Sequence, residues 1–448
     1  MHMSGKEKNM QEENRDSFRS KLGFILACIG SAVGMGNVWM FPYRVGQLGG
    51  GAFLLPYLIF IVLLGYTGLI GEFAFGRMTQ TGPIGSFDYA MKSKGKKGGA
   101  LFGVIPVIGA FGIATGYAVV VGWFIRFFFG TISGAMLSAT DSGAYFGEIA
   151  GAFGSIGWHL AAMVITAIVL MLGVANGIEK VNKVMMPLFF ILFIVILFKV
   201  LSLENSINGL KYLLIPKWEF LSQPKTWVYA LGQAFFSLSL AGSGMVVYGS
   251  YLKKDVDIPS CAKNTAFFDT LAAMIAGLVV IPAVFAFNLD PASGPPLLFI
   301  TLPMVFKEMA GGQLFSILFF ISLLFASITS LMNLLEVPIE ALQNRMNLKR
   351  NTAVVVVCAV SFGIGLFLED GNFLSAWMDF MSIYIIPLGA LIAAVMFFWI
   401  IGSKIAKEQA EMGASKPLGA WFEPMAKYVF VILTVVVVIG GILYGGIG

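Results

Sequence analysis

Apolar residues in this chain gather into long runs separated by short polar stretches. A helix needs about 20 residues to cross about 30 Å of hydrocarbon. Runs of that length fall near 22–46, 52–76, 101–131, 158–175, 184–203, 227–250, 261–289, 313–343, 352–368, 375–403 and 422–446. The pattern predicts an all-α membrane protein with eleven transmembrane helices. Some twenty polar residues precede the first run and no small-residue cleavage pattern ends it, so it reads as a span and not as a removable leader.

Of 448 residues, 58% are apolar and 12% charged. That is roughly half the charge of a soluble chain, too little to cover soluble domains. The net charge of +5 would raise nucleic acid as a partner in a soluble protein. Here it is loop charge, and the partner is the lipid bilayer. With a cytoplasmic N-terminus, twenty-one Lys and Arg fall on inner segments and four, Lys211, Lys217, Lys225 and Lys307, on outer ones. This bias predicts N-terminus inside and, with an odd helix count, C-terminus outside. His2 and His159 are too few for a histidine metal site. Cys28, Cys261 and Cys358 form no C-x-x-C motif and suggest no disulfide framework. No phosphate loop points to ATP, and no nucleophile–base pair or metal cluster points to an enzyme.

Two runs carry polar and small residues at mid-membrane depth. The first contains Gly30-Ser31-Ala32-Val33-Gly34-Met35-Gly36-Asn37, the sixth Phe236-Ser237-Leu238-Ser239-Leu240-Ala241-Gly242-Ser243-Gly244. Taken alone, Gly30-x-x-x-Gly34 also fits a packing face between helices. Two such stretches in matching positions of two five-helix halves point instead to a transporter binding site built on broken helices. Unwinding frees carbonyls, which suit a hard cation such as Na⁺, and half-helix N-termini, which suit a carboxylate. Asp269 is costly in a bilayer, and either functional or a helix-end carboxylate reaching water. Thr329 and Ser330 put adjacent hydroxyls in the eighth run, where back-bonding to their own helix is an alternative. Tyr117 fits packing equally well, and Glu72, near the inner end of the second run, is either functional or structural, paired with backbone or a base.

The segment Gly23 to Phe53, with Gly-Ser-Ala-Val-Gly-Met-Gly-Asn-Val-Trp-Met-Phe-Pro-Tyr, resembles the first span of the neurotransmitter:sodium symporters. Gln233-Ala-Phe-Phe-Ser-Leu-Ser-Leu and Tyr248-Gly-Ser-Tyr-Leu resemble the sixth. The likeness covers about 18 to 400 and is strongest to bacterial eleven-helix amino-acid members, particularly a tyrosine-transporting type. It implies the five-plus-five inverted repeat of the bacterial leucine transporter, with helices 1 and 6 broken. On that pattern 1–21 is a cytoplasmic latch, 22–203 and 204–403 are the repeats, and 404–448 is a linker and last helix. The cell's cytoplasmic membrane is the implied location.

The resemblance also assigns roles. A first sodium site would use the Ala32 carbonyl, Asn37, Ser237 and Asp269; a second the carbonyls of Gly30, Val33 and Ala326 with the Thr329 and Ser330 hydroxyls. The substrate would meet Ala32, Gly34, Met35, Gly36, Tyr117 and Ser237, and its side chain Ile113, Phe236, Ser239, Gly242, Ser330 and Leu334. Monoamine members carry an aspartate at Gly34; glycine here implies a substrate bringing its own carboxylate. Gly242 stands where the leucine-type relative has phenylalanine, which leaves room for a large apolar or aromatic amino acid. The family usually has asparagine at Asp269, and Ala273 lacks the glutamate of some chloride-independent relatives, so Asp269 is expected to supply the missing charge. Tyr117 and Phe236 would form the outer lid. The outer ion pair has Asp379 but Met40 in place of its arginine, with Arg44 as a substitute. Arg15, Phe18 and Tyr251 match the inner latch, whose acidic partner aligns with Asn344; Glu340 is a replacement. The function implied is sodium-coupled symport by alternating access. Rivals are a proton-coupled or exchange-type carrier of the same fold and a passive channel, though no continuous polar stripe supports a channel.

Overall fold

The computed structural model describes residues 17–240, 243–292 and 295–446. The main helices are α1 (Lys21–Ala32), α2 (Gly36–Gln47), α3 (Gly51–Thr79), α4 (Gly99–Ile132), α5 (Ile156–Met171), α6 (Val174–Leu201) and α7 (Pro224–Ser237). They continue as α8 (Gly244–Ser250), α9 (Ile258–Ala286), α10 (Gly312–Met346), α11 (Arg350–Leu368), α12 (Gly371–Glu411) and α13 (Phe422–Tyr444). Among the described residues eight helices are long and apolar enough to cross a bilayer, and the pair α1–α2, bent by 50°, makes a ninth. The 16-residue α5 and the interrupted pair α7–α8 occupy the two remaining predicted runs.

Local chemistry sets several ends. The Ser20 hydroxyl accepts from the Gly23 N–H at the start of α1, and the Asp257 carboxylate from the Ser260 N–H at the start of α9. Gln80 and Asn347 adopt left-handed backbone and stop α3 and α10. One predicted boundary shifts. The stretch 176–183, read as part of an inner loop, is helical, because α6 begins at Val174. Glu179 is buried, accepts from the Arg19 N–H and the Ser20 hydroxyl, and pairs with Lys183 one turn on at 2.6 Å, and the Asn182 amide nitrogen donates to the Ile178 carbonyl at 2.8 Å.

The most apolar window of α4 is 72% buried within the protein, that of α6 only 28%. So α4 belongs to the centre and α6 to the rim, where Ile191, Val195 and Phe198 face outward. The inner helix α10 packs on α4, while α1 is held by α6, α9 and α10. Cys28, Cys261 and Cys358 are free and buried.

Candidate functional site

The break between α1 and α2 follows from three redirected hydrogen bonds. The Val33 N–H still reaches Ile29, but Val33 is extended. The Gly34 N–H turns to the Asn37 side-chain oxygen at 3.0 Å, the Met35 N–H to the Tyr117 hydroxyl at 3.0 Å, and the Asn37 N–H to the Gly34 carbonyl at 3.1 Å. The carbonyls of Gly30, Ser31 and Val33 thereby lose their helical donors. Ser31 finds new ones in the Ser239 hydroxyl at 2.8 Å and the Ser330 hydroxyl at 3.3 Å. Glycine is required at Gly34, where a Cβ would stand 2.6 Å from the Tyr117 hydroxyl and 2.9 Å from the Ser330 hydroxyl oxygen. At Gly30 a Cβ would lie 1.8 Å from the Asn182 oxygen and 3.0 Å from Thr329 Cβ.

The second break lies between α7 and α8. Ser239 and Ser243 take left-handed backbone at φ 54° and 53°, a conformation that L residues hold only when their surroundings enforce it. Between them lies Gly242, outside the described residues, as is Arg15. Gln233 ties the two breaks together by donating to the Gly36 carbonyl at 2.8 Å.

Beside the breaks sits a fully buried carboxylate. The Asn37 amide donates to Asp269 Oδ1 at 2.7 Å and to the Ser237 hydroxyl oxygen at 3.0 Å, and Ser237 donates to both Asp269 oxygens at 2.9 and 2.8 Å. No basic side chain pairs with Asp269 among the described residues. A buried carboxylate without a base needs a cation or a proton. On α10, Thr329 donates back to the carbonyls of Phe325 and Ala326 at 2.9 and 3.0 Å, so the back-bonding alternative holds in this structure.

The predicted substrate residues converge on one small cavity. Ala32, Gly34, Met35 and Gly36 line it from the first break, Ile113 and Tyr117 from α4. Phe236 and Ser239 line it at the second break, Ser330 and Leu334 from α10. Ser237 faces Asp269 instead. Tyr117 and Phe236 also border a vestibule of about 430 Å³, which places them between the two spaces. Asp379 lines this vestibule and is exposed. Arg44 does not pair with it: its guanidinium lies 4.2 Å from the Tyr229 ring centre and donates to Gln47 at 3.2 Å.

The opposite side is closed. Phe18 is buried edge-on against Phe24, Tyr248 and Tyr251, with centroids 5.2, 5.6 and 6.4 Å away. Glu340 accepts from the Gly82 N–H at 2.6 Å and from Asn344. Sequence reading missed the strongest ion pair here. Glu336, buried on α10, takes both arms of Arg350 at 2.9 and 2.8 Å and the Tyr251 hydroxyl at 2.7 Å. A charged residue inside an apolar run was the available signal. Two more buried acids sit elsewhere: Glu72 faces the backbone of Met245 and Val246 at the start of α8, and Glu369 meets His159 at 3.3 Å.

A helical membrane bundle whose first and sixth spans break around a central cavity defines a secondary transporter. The chain belongs to the sodium:neurotransmitter symporter family, whose model matches residues 15–145 and 147–445. It is a sodium-dependent membrane transporter and not an enzyme. It is 36% identical over 430 residues to the uncharacterized sodium-dependent transporter YhdH of Bacillus subtilis, covering 92% of this chain and 94% of that one. Over 453 residues it is 32% identical to a sodium-dependent transporter of Methanocaldococcus jannaschii, covering 96% of this chain and 91% of that one. The crystal structure of MhsT in complex with L-phenylalanine superposes with a TM-score of 0.87 at 33% identity, covering 96% of this chain and all of that one.

Proposed function

We propose that this protein takes up a large apolar or aromatic amino acid together with Na⁺, by alternating access and without chloride. The observation that carries the reading is Asp269: a buried carboxylate joined to Asn37 and Ser237 and lacking a base. Na⁺ beside it would meet the Ala32 carbonyl, Asn37, Ser237 and Asp269, with the carboxylate in the place of an added anion. A second Na⁺ would meet the carbonyls of Gly30, Val33 and Ala326 and the hydroxyls of Thr329 and Ser330, across the contact of α1 with α10. The freed Gly30 and Val33 carbonyls support this, since such oxygens are costly in hydrocarbon unless a ligand meets them.

The substrate carboxylate would approach the Gly34 gap beside Tyr117, and the side chain would enter the cavity bordered by Ile113, Phe236 and Leu334. That MhsT is seen with L-phenylalanine supports an aromatic substrate. The repeats 22–203 and 204–403 would rock against one another, with Arg15 and Phe18 leaving their seat as the inner side opens. Coupling requires only that the ions bind the outward and inward states unequally. The membrane would be a bacterial cytoplasmic membrane, with the N-terminus inside and the C-terminus outside.

A binding screen of the twenty amino acids on purified protein tests the reading. Binding should require Na⁺, favour large apolar or aromatic side chains, and survive replacement of chloride by gluconate. Uptake that follows a pH gradient at fixed Na⁺, and ignores Na⁺ at fixed pH, would establish the proton-coupled rival instead.

A further inference from the structure

We propose that Glu369 is a positioning residue for the vestibule: with His159 and Ser155 it holds the first turns of α12 and the Trp123 ring in place, and so keeps the mouth open to ligand. This goes beyond the amino-acid reading above and uses none of the residues assigned there to ions or substrate.

The walls of the vestibule are largely apolar. Trp39 and Met40 come from α2, Trp123 from α4, and Leu374 and Met378 from α12. Apolar walls that face one another across water gain by meeting. A space of about 430 Å³ persists between them only where something holds them apart.

That hold lies where the loop before α5 meets the corner between α11 and α12. Glu369 occupies the corner and is fully buried. Its Oε2 accepts from the Ser155 N–H at 2.9 Å, and its Oε1 lies 3.3 Å from His159 Nδ1 on α5. The other imidazole nitrogen, Nε2, is buried without a partner, so the ring proton belongs on Nδ1, where the carboxylate accepts it. Gly365 of α11 admits the ring, since a Cβ there would stand 2.4 Å from His159 Cε1. A buried carboxylate is costly, and a hydrocarbon side chain would fill the corner without that cost. What the carboxylate adds is two fixed hydrogen bonds.

Both bear on the vestibule. Two residues on from Glu369, the Gly371 N–H donates to the Ala150 carbonyl at 2.9 Å, and Asp370 caps α12 by accepting from the Asn372 N–H at 2.9 Å. The Ser155 hydroxyl accepts from the Trp123 indole N–H at 3.3 Å. One carboxylate thus fixes the start of α12 directly and Trp123 through Ser155. Farther along α12, Trp377 donates to the Gly112 carbonyl at 2.7 Å, and Met381–Ile385 winds in a wider turn that interrupts the α-helical ladder. The first turns of α12 therefore lie between that turn and the corner, and tilt toward α2 once the corner lets go.

The test places one cysteine on the α12 wall, Ser375→Cys, and labels it with a charged maleimide in purified full-length protein in Na⁺. The native thiols are buried, so their silence is the sign of an intact fold. Glu369→Leu should slow labelling by about tenfold, the effect of a buried donor left unmet. Glu369→Gln still offers an acceptor to Ser155 and an amide to His159, and should label within about twofold of native. In Glu369→Leu the association and dissociation of L-phenylalanine should slow together, with Kd within about twofold of native, because passage changes and the cavity does not. A merely structural loss lowers the bound fraction and leaves those rates alone. Unchanged or faster labelling in Glu369→Leu overturns the proposal. So does labelling as slow in Glu369→Gln as in Glu369→Leu, which assigns the effect to charge. Where Glu369→Leu exposes the native thiols, His159→Phe, which keeps a ring and removes its donor, repeats the measurement, and native-like labelling there overturns the proposal. Labelling needs no ligand, so failure of L-phenylalanine to bind counts against the amino-acid reading, and the cysteine still decides this inference.

Discussion

At the scale of single residues, the site depends on what is missing as much as on what is present. Gly34 has no room for a methyl group between Tyr117 and Ser330. Gly34→Ala should reduce Na⁺-dependent substrate binding by about tenfold to a hundredfold, since the added methyl must push Tyr117 or Ser330 aside at an overpacking cost of about 1–3 kcal/mol. Equilibrium binding on folded, monodisperse variant measures it. Asp269 carries the charge in the buried cluster. Asp269→Asn should lower apparent Na⁺ affinity by about tenfold or more, since one full charge beside a cation is removed; a Na⁺ titration of substrate binding reads the change. Both residues were legible because a glycine-rich stretch and a lone carboxylate stand out in apolar runs. Glu369 was not, because an acid followed by Asp370 and Gly371 reads as a solvated turn between two runs. Only the fold shows that it is buried against Ser155 and His159.

At the scale of elements, the helices were legible from hydropathy, and their breaks from glycine and serine content. The start of α6 was not. Glu179, Asn182 and Lys183 look like loop to a hydropathy count, yet on a helix the Glu179 carboxylate meets Ser20 and Lys183 and the Asn182 amide nitrogen donates to the preceding turn. The ion pair joining α10 to α11 was hidden in the same way, because Glu336 and Arg350 sit fourteen residues apart and only the turn after Met346 brings them together. Glu336→Gln should cost about 3 kcal/mol by leaving the Arg350 guanidinium without its carboxylate. Thermal unfolding in detergent measures the loss, and Tyr251→Phe should lose less. The cap of α9 has a pH signature. Burial alone would raise the Asp257 carboxyl, but the N–H groups of Ser260 and Ser415 outweigh burial and hold it below its ordinary value. A depressed carboxylate contributes its full stability above the ordinary range and loses it as pH falls through the lowered value. Asp257→Ala should therefore cost about 1 kcal/mol at neutral pH, and the gap from native should narrow as pH falls through the lowered value.

At the scale of the whole molecule, the two sides differ. The vestibule side is open to the Tyr117–Phe236 boundary, while the other is closed by Phe18 in its aromatic seat and by Glu336 holding α8, α10 and α11 together. A reporter enzyme fused after Gly448 should be active only outside the cell, given the placement of basic loops. The three buried thiols matter for following the motion between states. With Cys28, Cys261 and Cys358 all out of solvent, a maleimide dye that cannot cross lipid will leave the native chain dark. One cysteine placed at Asp379 should then light up from the outside and dim when ligand shuts the mouth above it. The molecule thus comes with its own blank background for watching the carrier turn over, with no native residue to remove first.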